Sequence, residues 1–174
     1  MRYPRPTVGL SFSALIVVLA LFACASKRPE QLGVRAGRLS PCPSSPNCIS
    51  SDAAEHAHFV EPFTLQAPAA RAWPLLRQAV AELPRTRIVQ EAEGYLHAEC
   101  RSALFGFVDD LELHLRPGTD AVSVRSAARL GHSDFGVNRR RVEKLRRALA
   151  AQGLLTFNEG RHANLPLGER SSWK

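Results

Sequence analysis

Ionisable side chains recur at every second position along three successive segments of this 174-residue chain. Because successive side chains of a β-strand point to opposite faces, this spacing places the ionisable groups of neighbouring strands on one face of a sheet. Carboxylates and imidazoles on that face could transfer protons, and arginines could bind an anionic group with paired hydrogen bonds. The residues are His97, Glu99 and Arg101 in the first segment, Asp110, Glu112 and His114 in the second, and Arg125 and Arg129 in the third, where Ser123 and Ala127 share the same face.

Two interpretations of this polar face stay open. A solvated face would form a ladder of cross-strand ion pairs, each contributing about 0.2–1 kcal/mol. A site would instead use Asp110, Glu99 and His97 for proton transfer, with Arg125 and its neighbours holding an anion. No nucleophile elbow, phosphate-binding loop or HExxH signature accompanies these residues, so the sequence favours a binding module over an enzyme.

The elements that position these residues follow from periodicity and turn signals. Apolar spacings of three and four predict a helix over 68–83, which either begins at Pro74 or kinks there. A second helix is predicted from Val137 to Gln152, with its basic residues mostly on the solvent side. Pro62 marks the first predicted strand as an edge strand. The predicted strands are 59–65, 86–91, 95–102, 107–116 and 121–129.

This β-α-β-β-β-β-α order predicts an α+β fold in which two helices pack on one face of an antiparallel sheet. Asp109 has the parity of the inward leucines of its strand, so it is either buried at the strand start or displaced by a bulge near Gly106. Before the second helix, Ser133 or Asp134 either caps the helix or joins Arg139 in an anion pocket.

The N-terminus indicates export. Arg2 and Arg5 precede an apolar run from Val8 to Ala23, which is typical of a secretion signal. The run ends in Leu21-Phe22-Ala23-Cys24, which resembles the lipobox of bacterial lipoproteins, where the cysteine is acylated and becomes the new N-terminus. With Ala25 following, the resemblance implies a lipid anchor in the outer membrane, on the periplasmic side.

Three cysteines remain after Cys24. Cys42 and Cys48 flank a Pro-Ser-Ser-Pro-Asn turn, and an oxidising compartment favours pairing of nearby thiols. No second Cys or His pair has zinc-site spacing, and redox-active pairs usually lie closer together. We therefore predict a structural disulfide between Cys42 and Cys48, a buried unpaired thiol at Cys100, no metal and no cofactor.

The chain is expected to comprise a signal peptide at 1–23, a lipidated tether at 24–38, one domain at 39–157 and a loose tail at 158–174. Its formal net charge is +7. In an exported protein this charge favours anionic lipid, cell-wall polymer or an acidic protein surface over nucleic acid as a partner. The expected partners are the membrane, through the lipid anchor, and an anionic ligand or an envelope protein.

Three blocks of the sequence resemble the family of domains of unknown function 1499 (DUF1499), which occurs in bacterial exported or membrane proteins and in plant plastids. The blocks are LSPCPSSPNCISS, YLHAECRSALFGFVDDLELHL and VRSAARLGHSDFGVNRRRVEKLR. The resemblance runs from about Leu39 to Gln152 and departs at Cys100, where a bulky apolar residue is expected. It implies no reaction. The polar residues that fall within these blocks form the candidate site: His97, Glu99, Arg101, Asp109, Asp110, Arg125, Ser126, Ser133, Asp134, Asn138 and Arg139.

These observations together predict a binding or interaction module for an anionic ligand or an envelope partner. One alternative is an enzyme with an acid–base pair and arginines on the polar sheet face. The other is an assembly factor for an envelope complex.

Overall fold

The computed structural model describes residues 28–103 and 106–155. The predicted signal peptide, Cys24 and the predicted tail at 158–174 lie outside the described residues. The described chain forms the strands β1 (Val34–Arg35), β2 (Arg38–Leu39), β3 (Cys48–Ser50), β4 (Phe63–Thr64), β5 (Thr86–Ala92), β6 (Tyr95–Arg101), β7 (Val108–Leu115) and β8 (Ala121–Ala128), and the helices α1 (Ala69–Ala81) and α2 (Val137–Ala151).

One antiparallel sheet of six strands organises the domain. Its strand order is β3-β8-β7-β6-β5, and β4 pairs with β8 beyond the end of β3. The four longest strands follow one another along the chain and pair with their sequence neighbours, as short turns require. The predicted α+β fold with a large antiparallel sheet is confirmed.

The predicted alternation of side chains decides where the core lies. Leu96, Leu111, Leu113, Val122 and Val124 have no exposed surface and form one cluster with the apolar residues of both helices. Burying a side chain of this size stabilises the fold by about 1.5–3 kcal/mol. The helices therefore cover the apolar face of the sheet, and the ionisable residues project from the other face.

Two predicted elements differ in extent from those observed. The predicted strand 59–65 is reduced to β4 and an isolated bridge between Phe59 and Ser50, because Pro62 has no N–H and interrupts the pairing between them. Helix α1 begins at Ala69 and passes through Pro74, so a start at Pro74 is wrong. The hydrogen bond lost at the proline is offset by packing of the helix on the sheet. The residues that α1 buries are Ala72, Leu76, Ala79 and Val80.

Three short strands precede the predicted ones. Strand β3 pairs with β8 and extends the sheet by one strand. Strands β1 and β2 form a separate hairpin with Val34 opposite Leu39. This hairpin and the residues before it overlap the predicted tether at 24–38, so this part of the chain contacts the domain from Arg28 onward.

Candidate functional site

The register of the sheet aligns four side chains in a row across β5, β6, β7 and β8. Gln90 lies opposite His97, His97 opposite Glu112, and Glu112 opposite Arg125. Directly opposed residues of antiparallel strands project from the same face, so we call these four residues the polar row. His97 and Glu112 have no exposed surface, and Arg125 retains 8%. Most of the row is therefore buried rather than solvated.

Glu112 is the centre of the polar row. Its carboxylate accepts hydrogen bonds from Arg125 Nη1 at 2.9 Å, from the Tyr95 hydroxyl at 2.8 Å and from the Gly33 N–H at 2.7 Å. These donors, one of them cationic, compensate the desolvation of a buried carboxylate. Burial, and next the charge of Glu112, raise the pKa of Tyr95 above its ordinary value, so the phenol stays protonated and donates.

A second buried cluster lies beside the polar row. Arg129 donates to Asp110 at 2.7 and 2.9 Å and to Glu99 at 2.8 Å, and His97 Nε2 lies 2.7 Å from Asp110 Oδ1. Burial alone would raise the pKa of Asp110, but hydrogen bonds from Arg129 and His97 outweigh it and lower that pKa. The hydrogen bond to Asp110 raises the pKa of Arg129. Asp110 and Arg129 are therefore a charged pair at neutral pH.

The His97 ring has one bonded and one unbonded nitrogen. Its Nδ1 is buried and has no hydrogen-bond partner among the described residues, whereas Nε2 faces Asp110. A neutral ring with its proton on Nε2 donates to Asp110 and leaves only a lone pair at Nδ1. That costs less than an unpaired N–H, so the geometry favours this tautomer.

Two predicted site residues, Asp109 and Ser126, lie on the opposite face of the sheet, and a third, Asn138, lies on α2 above them. Asp109 pairs with Cys100 without a register shift, so it is buried at the strand start and no bulge displaces it. Its carboxylate accepts a hydrogen bond from Arg141 Nη2 at 2.5 Å, yet burial outweighs this bond and raises the pKa of Asp109. Ser126 donates to Asn138 Oδ1 at 2.6 Å. These contacts join the sheet to α2.

Sequence reasoning missed Arg141, which the pattern assigns to the solvent side of the second helix. Arg141 bonds Ser126 and Asn138 as well as Asp109. Its position four residues before the buried Leu145 puts it at the border of the apolar stripe. The inward position of Asp109 could have identified Arg141, because a buried carboxylate requires a cation or hydrogen-bond donors nearby.

Arg101 and Arg139 lie away from the buried clusters. Arg101 is exposed, and its Nη2 lies 3.8 Å from Glu99 Oε2 at the rim of the polar face. Arg139 donates to the backbone carbonyls of Phe59 and Ala57 at 2.9 and 3.0 Å. Its guanidinium therefore holds the loop before β4.

Asp134 caps α2, in agreement with the first of the two alternatives for this loop. Its carboxylate accepts the N–H groups of Gly136 at 2.9 Å and Asn138 at 2.7 Å. Ser133 Oγ accepts the N–H of Phe135 at 3.3 Å. An acid at a helix N-terminus satisfies free amides and complements the helix dipole.

The predicted candidate residues thus occupy three places. The structure puts His97, Glu99, Asp110 and Arg125 on the buried polar face with Arg101 at its rim, Asp109, Ser126 and Asn138 at the contact between the sheet and α2, and Ser133, Asp134 and Arg139 around the start of α2.

The cysteines behave as predicted where they are described. Cys42 and Cys48 form a disulfide, which confirms the predicted pair. Cys100 is a free, buried thiol that accepts a hydrogen bond from the Thr86 hydroxyl at 3.4 Å. Burial raises the pKa of the Cys100 thiol, so it remains protonated at neutral pH.

Within residues 28–103 and 106–155, no three His, Cys, Asp or Glu side chains lie close enough together to hold a metal ion. Within the same ranges, neither α1 nor α2 is long and apolar enough to cross a bilayer.

One family profile matches residues 38–149, and its description is "Protein of unknown function (DUF1499)". The chain belongs to the DUF1499 family. A search of curated proteins gives no match. The DUF1499 match contains every candidate residue of the sheet and of α2, and it begins at Arg38.

A segment that precedes the DUF1499 match covers the polar row. We call residues 28–33 the strap. Arg28 Nη1 donates to Gln90 at 3.4 Å, and the Gly33 N–H donates to Glu112 at 2.7 Å, so the strap contacts two members of the row. The Gln31 carbonyl accepts a hydrogen bond from Ser40, which ties the strap to the chain after β2. The strap therefore helps to exclude water from the carboxylate of Glu112.

A cleft of about 500 Å³ opens between the strap and the disulfide loop. Residues 29–32 form one wall, residues 41–43 form the other, and Arg125 reaches the cleft from the polar row. The Nε of Arg125 is buried and has no hydrogen-bond partner among the described residues. An unsatisfied buried donor costs about 1–3 kcal/mol, and an acceptor that entered from the cleft and displaced the cover over this atom would remove that cost. In this DUF1499 protein, Arg125 is the residue of the polar row best placed to contact a ligand.

Proposed function

We propose that this DUF1499 protein is a lipid-anchored protein of the bacterial cell envelope that binds a small anionic group at Arg125. The secretion-signal pattern and the lipobox-like Cys24 support the anchor and a place on the periplasmic side of the outer membrane. The cleft at Arg125 supports the binding role.

The observation that carries the binding proposal is the buried guanidinium of Arg125 at the cleft. Its Nη1 is bonded to Glu112, while its Nε–H has no acceptor among the described residues. A hydrogen bond between a guanidinium and a carboxylate or phosphate contributes about 1.5–3 kcal/mol. The cleft, at about 500 Å³, has the size of small-molecule sites.

Glu30 on the strap refines the class of ligand. Glu30 also lines the cleft, so a carboxylate lies in the same cleft as the Arg125 guanidinium, which is itself paired with Glu112. A ligand with an amino group beside its anionic group would pair with both charges, whereas a simple anion would be repelled by one. We therefore expect phosphoethanolamine to bind more tightly than inorganic phosphate.

The burial of the acid–base groups favours binding over the enzyme alternative. His97 is 0% exposed and Asp110 is 1% exposed. A general base must come within hydrogen-bond reach of the proton that it removes. In this conformation both side chains are bonded inside the protein and reach no solvent-filled space.

Ligand-dependent thermal stabilisation tests the proposal. The full-length protein in detergent is melted with acetate, inorganic phosphate or phosphoethanolamine, because a ligand that binds only the folded state raises the melting temperature. We expect phosphoethanolamine to stabilise the parent and to leave Arg125→Lys unaffected. Lysine keeps a cation beside Glu112 but has no Nε–H and no planar guanidinium.

Arg101→Lys is the matched control, because Arg101 is exposed at the rim of the same face. Each variant is compared with its own ligand-free melting temperature, which separates binding from stability. The proposal is wrong if no probe stabilises the parent, or if Arg125→Lys responds as the parent does. An envelope protein that copurifies while no probe has an effect would favour the assembly-factor alternative.

A further inference from the structure

One end of the sheet exposes several apolar side chains. The Arg129 N–H donates to the Val108 carbonyl, which places the loop before β7 beside the loop after β8, and α2 begins at the end of that second loop. Isolated exposed apolar residues are common, but a group of them at one end of a domain indicates an interaction surface. We call this group the apolar tip: Phe107 at 45% exposure, Leu130 at 46%, Phe135 at 85% and Val137 at 39%.

The backbone of Phe135 adopts a conformation that residues with a side chain rarely take. Its φ is 52°, in the left-handed region, and 85% of its surface is exposed. The Phe135 N–H donates to Ser133 Oγ, and the Asp134 carboxylate accepts the N–H of Asn138 in the first turn of α2. The loop therefore holds a large aromatic side chain away from the core at a cost in backbone energy, which is typical of functional positions.

Two arginines adjoin the apolar tip. Arg140 Nη1 donates to the Phe135 carbonyl at 2.8 Å, so one guanidinium lies at the base of the aromatic residue. Arg101 is exposed on the adjoining strand end. The nearest acid in the loop, Asp134, is engaged in the cap. Apolar side chains within a cationic border match the interface of an anionic lipid bilayer.

The length of chain before the strap allows this end of the sheet to reach a membrane. Arg28 follows Cys24 by four residues, which span at most about 14 Å. Arg28 contacts Gln90, and the tip end of β5 at Thr86 lies four residues away, or about 13 Å along the strand. An acyl chain at Cys24 could therefore lie at the level of the apolar tip.

The opposite end of the sheet has a different character. It carries the turns between β5 and β6 and between β7 and β8, where Glu93 and Asp120 are exposed. Among the described residues, the large exposed apolar side chains do not include any from these two turns. Acidic turns would be repelled by an anionic bilayer, so charge distinguishes the two ends.

We propose that the apolar tip inserts into the headgroup region of an anionic bilayer and thereby sets the orientation of the domain on the membrane. For that orientation the inference rests on the proposed anchor at Cys24. The contact itself belongs to the tip, so it is measurable without the anchor.

Vesicle sedimentation tests the contact with the chain from residue 24, carrying Cys24→Ser and expressed without the predicted signal segment, because the apolar run from Val8 to Ala23 would itself bind vesicles. Vesicles of phosphatidylcholine with and without phosphatidylglycerol are compared. We expect binding to the mixed vesicles, and a roughly tenfold or greater loss of partitioning for Phe135→Gly, because the apolar surface of the ring no longer transfers from water. The same variant should melt at or above the parent, because glycine adopts the left-handed conformation without strain.

Leu75→Ser is the control, because Leu75 is 43% exposed and lies on α1, away from the tip. Serine is used rather than glycine because a glycine inside α1 would weaken the helix. It should leave vesicle binding unchanged. The proposal is overturned if the parent binds neither kind of vesicle, or if Phe135→Gly and Leu75→Ser bind equally. Failure of acylation at Cys24 would remove the proposed anchor and leave this result standing.

Discussion

Buried arginines at the sheet are each bonded to a carboxylate. Arg125 pairs with Glu112, Arg129 with Asp110, and the Arg141 guanidinium reaches across from α2 to an acid on β7. Pairing of this kind is what a structural ion-pair network requires. Of the three arginines, Arg125 lines the cleft beside the strap. We therefore apply the ladder interpretation to Arg129, and the proposed binding function assigns the site interpretation to Arg125.

Arg129→Met is expected to lower the free energy of unfolding by about 3–5 kcal/mol, because it leaves Asp110 and Glu99 buried without their cation. The Arg129 side chain is 3% exposed, whereas that of Arg101 is 55% exposed. Arg101→Met is the matched control and should cost about 0–1 kcal/mol. Urea denaturation measures both. Equal losses for the two variants would contradict the assignment of Arg129 to a buried network.

Asp110 gives stability a definite pH dependence. Its pKa is lowered in the folded state, so its contribution is present above the ordinary pKa of about 3.9 and is lost as pH falls through the folded value. Asp110→Asn is expected to be less stable at neutral pH and to lose less stability on acidification. Urea denaturation at a series of pH values between about 3 and 7 measures this.

Asp109 supplies the opposite sign for comparison. Its pKa is raised by burial, so its contribution is present below the ordinary pKa and is lost as pH rises through the folded value. The Asp109→Asn variant should therefore lose less stability than the parent when the pH is raised. If both asparagine variants changed the pH profile in the same direction, one of the two assignments would be wrong.

At the scale of elements, the strap decides the character of the polar face. Alternation along β6, β7 and β8 was enough to predict which residues share each face. It could not predict that the polar face is buried, because the covering segment has the polar, basic composition of a tether. Strands of two or three residues carry no periodicity, so β1, β2 and β3 left no signal that pattern analysis detects.

The sequence pattern also could not predict which side chains on neighbouring strands bond to one another. The alternation identified Glu112 as outward-facing but not its bond to Tyr95, which depends on a diagonal contact between two strands. Arg141 was assigned to solvent because it borders the apolar stripe of α2 by a single position. Such contacts follow from register and helix rotation, which local sequence does not determine.

The hydrogen bond from the strap to Glu112 is testable with two substitutions of one residue. Gly33 has a φ of 104°, so Gly33→Ala strains the backbone but keeps the N–H, whereas Gly33→Pro removes the N–H that bonds Glu112 and also forces φ to about −65°. The proline therefore detaches the strap from Glu112, and we expect it to be less stable than the alanine variant by at least about 1–3 kcal/mol. Urea denaturation measures the difference. Equal stability would mean that attachment of the strap at Gly33 does not stabilise the fold.

At the scale of the whole molecule, the proposed anchor and the strap adjoin each other in sequence. Cys24→Ser in the full-length protein is expected to abolish incorporation of labelled palmitate, because the variant lacks the thiol that would be acylated. Metabolic labelling with immunoprecipitation measures this, with Cys100→Ser as a control that changes a cysteine inside the domain. A Cys24→Ser protein that is labelled as strongly as the parent would contradict the lipid anchor.

The reactivity of the buried Cys100 thiol reports how often the surrounding core opens. The thiol is sealed between the helices and the sheet, and its hydrogen bond to Thr86 comes from β5, the outer strand of the sheet. A maleimide reaches the sulfur only when the packing around Cys100 opens, whether a helix leaves the sheet or β5 moves away. The rate of alkylation therefore measures how often this part of the core opens, and a ligand or a bilayer that stabilises the closed core will slow alkylation.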